Sequence, residues 1–128
     1  MALTHTVIDD LIVGSPLHIP RTVKLEQGVG FLEKCWFTVK ENRTKPDTEA
    51  LIKISITGTP SSGGQITDLG GSGVGTFVFY LLRADTLKLQ FRRVYIFDIW
   101  IKTSLVSDPA GTESGVIAPH YAVTLDPT

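Results

Sequence analysis

Hydrophobic and polar residues alternate along much of this chain, and the period is two. In "CWFTVK", Cys35, Phe37 and Val39 fall on one side, and Trp36, Thr38 and Lys40 on the other. "LIKISIT" sets Ile52, Ile54 and Ile56 against Lys53, Ser55 and Thr57. "TFVFYLL" sets Phe77, Phe79 and Leu81 against Thr76, Val78 and Tyr80. "VYIFDIWIKT" sets Tyr95, Phe97, Ile99 and Ile101 against Val94, Ile96, Asp98, Trp100 and Lys102. Each pattern predicts a strand with one buried face, because successive side chains of a strand point to opposite sides. "LHIPRTVKL" predicts an earlier strand and "GVIAPHYAVTL" a last one. Pro20 and Pro119 lack a donor N–H, which puts their strands at sheet edges or bulges.

Breakers separate these runs. "ENRTKPDTE" is a polar connection with a proline. "GTPSSGGQITDLGGSGVG" holds seven of the twelve glycines, and only "QITDL" within it can form a short strand. "SDPAGTESG" reads as a hairpin loop before the last strand. One short helix is predicted over Arg83–Leu89, with Asp85 at its N-cap. About seven short strands with regular turn signals argue for an all-β antiparallel sandwich of immunoglobulin-like type with one short helix. The expected layout is a loose N-terminal arm at 1–12 and a single β-sandwich domain at 13–128.

The bulk numbers fit one domain with a real core. The chain has 128 residues, 42% hydrophobic and 20% charged, with a net charge of −1. Such a composition is not that of a disordered chain. The charge balance supplies no field for nucleic acid or an anionic membrane, so neither is expected as a partner. The start "MALTHTVIDD" lacks the basic and apolar regions of a secretory signal. No apolar run approaches the roughly 20 residues of a membrane-spanning helix.

Candidate chemistry is sparse. Cys35 is the one cysteine, and its place on a core face reads as a buried structural thiol rather than a nucleophile. His5, His18 and His120 are scattered, without the grouping a metal needs. "GGSGVGT" resembles a phosphate loop only in its glycines, because it leads into a strand and no lysine follows. Asp9, Asp10 and Glu113 are carboxylates that nothing in the sequence brings together. "NRT" at Asn42–Thr44 matches a glycosylation sequon, and Arg92-Arg93 is too small a basic run to bind nucleic acid. No catalytic residue, metal or cofactor is expected.

The unusual feature is the outward side of the strands. A sandwich strand is apolar inside and polar outside. Trp36, Val78, Tyr80, Val94, Ile96 and Trp100 break that rule and are the candidate interface residues. Trp and Tyr are enriched at protein–protein interfaces. Two readings follow: an apolar outer face meets another subunit, or a loop or arm of the same chain covers it. The arm, with alternating Leu3, His5 and Val7, has the pattern to add a strand to a neighbour's edge.

Several segments carry a resemblance. "IDDLIVGSPLHIPRTV", "CWFTVK", "ALIKISIT", "RADTLKL", "VYIFDIWIKTS" and "GVIAPHYAVTLD" follow one another as in small structural proteins of tailed bacteriophages. The chain is similar, from about Ile8 to Thr124, to the immunoglobulin-like sandwich that opens phage baseplate upper and tail adaptor proteins. An aromatic-Asp-Ile-x-Ile-Lys-Thr strand is read here as Phe97-Asp98-Ile99-Trp100-Ile101-Lys102-Thr103. Thr38-Val39-Lys40 ends an earlier strand, and Asp85-Thr86-Leu87-Lys88-Leu89 forms the turn before the aromatic strand. The chain departs at Gly14-Ser15, where the family often has Gly-Asp, and it ends at Thr128 without the fibre or receptor-binding region of larger baseplate proteins. The resemblance implies a non-enzymatic virion protein, a tail or baseplate adaptor or a capsid decoration module. It would be assembled in the host cytoplasm, with other virion proteins as partners and a homo-oligomer, trimer or hexamer, as its own state. The alternative is a carbohydrate-binding sandwich that stacks sugars on Trp36, Tyr80 and Trp100. An enzyme is the weakest reading, since no activating pair or cofactor loop is visible.

Overall fold

The computed structural model describes residues 4–90 and 92–121. These residues form eight strands: β1 Thr4–Ile8, β2 Leu17–Lys24, β3 Leu32–Lys40, β4 Ile52–Ile56, β5 Gly64–Asp68, β6 Val74–Leu81, β7 Tyr95–Thr103 and β8 Ala110–Ile117. They build a five-stranded sheet in the order β1-β8-β7-β3-β4 and a three-stranded sheet in the order β2-β6-β5. This is an immunoglobulin-like sandwich: two sheets packed face to face, with the first strand running parallel to the last. β2 stands at an edge of its sheet, which is where Pro20 is tolerated.

The inward positions of the alternating runs make the core. Phe37 of β3 and Phe97 of β7 meet at 5.7 Å between ring centroids, and Phe37 reaches across to Phe79 of β6 at 5.5 Å. Phe77 packs edge-on against Phe79. Ile19, Ile52, Ile56, Ile66, Ile99 and Ile101 fill the space around them. A sandwich core of this kind needs no disulfide, and the single Cys35 is buried and free.

The connection from β6 to β7 is pinned by one tyrosine. Tyr95 is buried at the start of β7, and its hydroxyl accepts the Gln90 N–H at 2.9 Å. That is a tyrosine corner, the device by which many such sandwiches lock this crossover between sheets. The helix expected over Arg83–Leu89 is a single turn, α1, Arg83–Thr86. Its N-cap is Leu82, and Asp85 sits in the third position, where its carboxylate accepts the Leu82 N–H at 2.9 Å. Asp85 therefore caps the turn from inside, rather than from the N-cap itself.

Two stretches differ from the sequence reading. Residues 4–8, expected within a loose arm, form β1 and pair with β8 of the same chain, Thr4 opposite Glu113 through Ile8 opposite Ile117. Leu11, just beyond, is fully buried. The final strand begins at Ala110, inside the stretch read as a hairpin loop, and ends at Ile117. Its inward positions are Glu113, Gly115 and Ile117, opposite Ile99, Phe97 and Tyr95. Two of the three are not apolar, so the alternation is hidden in the sequence.

Each of the two has its own reason. Gly115 lies where β1 comes close: a β-carbon there would overlap the Thr6 carbonyl. Glu113 is buried and reaches across the sandwich to Arg21 of β2. Arg21 donates from Nε to Oε1 at 2.6 Å and from Nη2 to Oε2 at 2.9 Å. The Thr6 hydroxyl donates to the same carboxylate at 2.6 Å. A bidentate, doubly satisfied carboxylate of this kind is a tolerable buried ion. It ties β1, β8 and β2 together at one side of the sandwich. The part of the last-strand reading that runs beyond Tyr121 lies outside the described residues.

Candidate functional site

The six candidate residues fall in three places. Trp36, Ile96 and Trp100 point outward from the five-stranded sheet. Val78 and Tyr80 lie on the outer side of the three-stranded sheet, and Val94 is exposed just before β7. Alternation shows which side of a strand is inward, but not which of two sheets the strand joins. The expectation of one shared face therefore resolves into a main face and two outliers. Tyr80 is occupied where it stands: its ring lies 4.5 Å from that of His18, its cross-strand neighbour.

The main face is read most clearly across β3 and β7. Lys34 stands opposite Lys102, Trp36 opposite Trp100, Thr38 opposite Asp98 and Lys40 opposite Ile96. β4 adds Ser55 beside Trp36 and Lys53 beside Thr38. On the other side, β8 puts Ser114 beside Asp98 and Val116 beside Ile96, and β1 continues these rows with His5 and Val7. His5 Nδ1 and the Ser114 hydroxyl are 3.1 Å apart. The face therefore carries a paired indole at one end and an aliphatic row, Ile96, Val116 and Val7, nearer the other.

A trough of about 430 Å³ opens over this face, lined by Trp36, Thr38, Lys40, Asp47, Lys53, Asp98, Trp100 and Pro109. A smaller hollow of about 140 Å³ adjoins it and shares Thr38, Lys40 and Asp98. Two connections form the banks. The β3–β4 connection places a 3-10 turn, Asp47–Glu49, on one side, and Pro109 of the β7–β8 loop stands on the other. The chain thus covers part of its own face and leaves Trp100 42% exposed.

The charges are arranged unevenly. Burial raises the Asp98 carboxyl above its ordinary range; a hydrogen bond from Trp100 and the charge of Lys40 pull against that rise. Asp47 is held below its ordinary value by its hydrogen bond with Lys40, against a smaller effect of burial. Lys40 and Asp47 form an ion pair at 2.5 Å, and Lys102 reaches Glu33 at 3.3 Å. Lys34 lies over the Trp36 ring at 5.4 Å, a cation–π contact. Neither Lys34 nor Lys53 makes an ion pair among the described residues. The lysines were not singled out from the sequence, although the repeated Lys-x-Trp and Lys-x-Ser spacing carries the signal.

The remaining candidates have structural explanations. Burial pushes the Cys35 thiol up to about 12, so no thiolate is available near neutral pH. Glu113 is committed to Arg21 and Thr6. Asn42 accepts the Thr44 N–H and hydroxyl in a local turn, at 3.0 and 2.6 Å. Arg93 pairs with Glu41 at 3.4 Å and packs over the Tyr95 ring. Among the described residues no group of His, Cys, Asp and Glu has the arrangement of a metal site, and no helix is long and apolar enough to cross a membrane. No family model matches the chain, and no curated protein does. What the trough offers is recognition chemistry: two flat apolar rings, Lys53 beside the Lys40–Asp47 ion pair, and the half-buried Asp98 carboxylate.

Proposed function

We propose that this chain is a non-enzymatic structural protein of a tailed-bacteriophage particle that works by protein–protein contact. Its role would be that of a tail or baseplate adaptor or a capsid decoration module, self-associating as a trimer or hexamer. The motif resemblance of Phe97–Thr103 and its neighbours supports the class of particle. The observation that carries the binding role is the face around Trp36 and Trp100. Cross-strand indoles and the Ile96–Val116–Val7 row place apolar area on the outside of a rigid sheet. Such anchors, rimmed by polar groups, are how protein interfaces concentrate their binding energy.

A second reading has its own support. Two indoles beside Thr38, Asp98 and Lys53 also offer a sugar ring a stacking surface with hydrogen-bonding groups at its margin. The aliphatic row favours the protein reading, since aliphatic side chains give a sugar's hydroxyls no partner. A glycan array separates the two.

The test is solution mass by light scattering over a wide concentration range, on the wild type and on Trp100→Ser and Ile96→Ser. The expected result is an oligomer that both substitutions dissociate, while Val78→Ser leaves it intact. A monomer at every concentration, or an oligomer indifferent to Trp100, would overturn this use of the face.

A further inference from the structure

The edge of a sheet exposes unpaired backbone donors and acceptors, and proteins blunt such edges with proline, charge, bulges or a covering loop. Among the described residues, three of the four sheet edges are blunted. β2 carries Pro20, which has no N–H to offer. β4 and β5 shield one another through the loop that joins them. The Ile66 N–H donates to the Thr57 carbonyl at 2.8 Å, and the Gln65 side chain to the Gly58 carbonyl at 3.2 Å. β4 also carries Lys53, and β5 has a register irregularity before Asp68. β1 has none of these. Thr4–Ile8 holds no proline, lysine or carboxylate, and it pairs with β8 alone. The sandwich is open beside it: a hollow of about 330 Å³ lies between Thr4 of β1 and Thr22–Lys24 of β2.

The free groups of this edge fall in a definite pattern. The Ile8 carbonyl accepts the Ala118 N–H at 3.0 Å, and the Thr6 carbonyl lies against Gly115. The backbone of Thr6 and Ile8 therefore faces β8, and by alternation the N–H and C=O groups of His5 and Val7 face away from the sheet. That pattern is complementary to itself. Two β1 strands laid antiparallel, Thr6 opposite Thr6, set His5 of each copy opposite Val7 of the other. Every free N–H of His5 and Val7 then meets a free carbonyl. Val7, 62% exposed, ends the Ile96–Val116–Val7 row and receives His5 of the second copy on its open side. The edge is thus continuous with the apolar face. Charge sets the direction. Asp9 and Asp10 follow β1 and are exposed. Parallel strands in register would stack these carboxylates about 4.8 Å apart. The antiparallel pairing holds Asp9 of one copy roughly 20 Å from Asp9 of the other, at the usual strand rise.

Resting on the reading of that face as an interface, we infer that β1 pairs antiparallel with β1 of a second copy, centred on Thr6. The contact is two-fold, so it adds copies in pairs. A strand of five residues is small against the roughly 20 to 30 residues a side of an interface that holds alone. The edge therefore acts on copies that the face has already gathered, where the effective concentration is high. A trimer built by the face becomes a hexamer built by face and edge, with two five-stranded sheets running on as one at each two-fold contact.

Val7→Pro tests this in the intact chain. It removes an N–H that faces away from β8, so the fold is expected to stand, as checked by circular dichroism and urea unfolding. Light scattering is expected to show the wild-type hexamer halved to a trimer, while Val7→Ile, which keeps the N–H, stays a hexamer. Thr6→Cys supplies a second readout. Directly opposed residues of a non-hydrogen-bonded antiparallel pair have Cα atoms about 4.5 Å apart, within disulfide reach. Cys35 is buried, so a linked dimer on a non-reducing gel reports the new thiols meeting across the two-fold axis. A folded Val7→Pro variant of wild-type mass, or a Thr6→Cys hexamer that never cross-links, would overturn the edge contact and leave the face reading standing. So would a wild type that stops at the trimer. A dimer that Val7→Pro splits and Trp100→Ser leaves whole would uphold the edge and remove the face reading. A wild-type monomer at every concentration removes both.

Discussion

The two outer faces of the sandwich arise from the same alternation, yet they are settled in different ways. On the three-stranded sheet the cross-strand pairs suit one another. His18 stacks against Tyr80, Pro20 lies opposite Val78, and the hydroxyls of Thr67 and Thr76 are 2.7 Å apart. On the five-stranded sheet Lys34 meets Lys102, and a half-buried Asp98 sits between the two hollows. One face has found its partners within the chain. The other leaves an indole half bare and holds a carboxylate desolvated by burial. The difference teaches that outward aromatics alone do not mark a binding surface: Tyr80 and Trp100 look alike in sequence, but Tyr80 is stacked on His18 while Trp100 stays 42% exposed.

The largest expected effect comes from removing one edge of the five-stranded face. Gly115→Val should push β1 off β8, because the new side chain would occupy the place of the Thr6 backbone. Loss of the β1 hydrogen bonds and of Ile8 burial should cost roughly 3 kcal/mol. Urea unfolding measures the cost, and hydrogen exchange at Thr4–Ile8 locates it. Slow exchange there in the variant would mean that β1 does not depend on the glycine.

Next is Glu113→Ala, which strands Arg21 between the sheets. Arg21 retains some solvent access, so the penalty should fall below that of a fully buried ion, at about 2 to 3 kcal/mol. A change of a few tenths in the same unfolding experiment would show the clamp to be idle.

Two substitutions then set the faces against each other. Tyr80→Thr breaks the stack on His18 and should lower stability by about 1 kcal/mol without touching self-association. Trp100→Thr should cost less stability than Tyr80→Thr while abolishing association. Equal effects of the two on both readouts would erase the distinction between the faces.

The smallest effect concerns Asp98. Its folded-state affinity for a proton exceeds that of the unfolded chain, for which 3.8 is the ordinary value. Its contribution to stability is therefore favourable below that value and is lost as pH rises through the raised one. Asp98→Asn should melt slightly higher than wild type at pH 7, and the gap should close on acidification. A lower melting temperature for the variant at pH 7 would show that the ionised carboxylate stabilises the fold through Trp100 and Lys40.

Much of the sandwich was legible in the sequence because β4, β6 and β7 bury strictly alternate residues, and β3 keeps its apolar side chains in alternation from Cys35 to Val39. β8 was not, since Glu113 and Gly115 occupy inward positions that neither hydrophobicity nor propensity flags. Their partners, Arg21 and Thr6, lie near the other end of the chain, and no local pattern announces such a pairing. The tyrosine corner was hidden for a similar reason: Tyr95 reads as one more core residue until its hydroxyl is seen on Gln90. Within the candidate site, Trp36, Ile96 and Trp100 were recognisable as misplaced apolar residues. That Val78 and Tyr80 belong to another face depends on sheet membership, which pairing over long sequence distances decides.

The pairing of β1 with β8 bears on how the molecule is made. Thr6 and Glu113 are 107 positions apart, so during synthesis β1 must wait for nearly all of this sandwich before it can dock on β8. Until then its backbone donors and acceptors stay open to any passing strand, and closing so long a loop is slow. The growing sandwich is thus most vulnerable to mispairing at β1. The carboxylates of Asp9-Asp10 lie right behind that open strand and give it a charge that discourages stacking with its own kind.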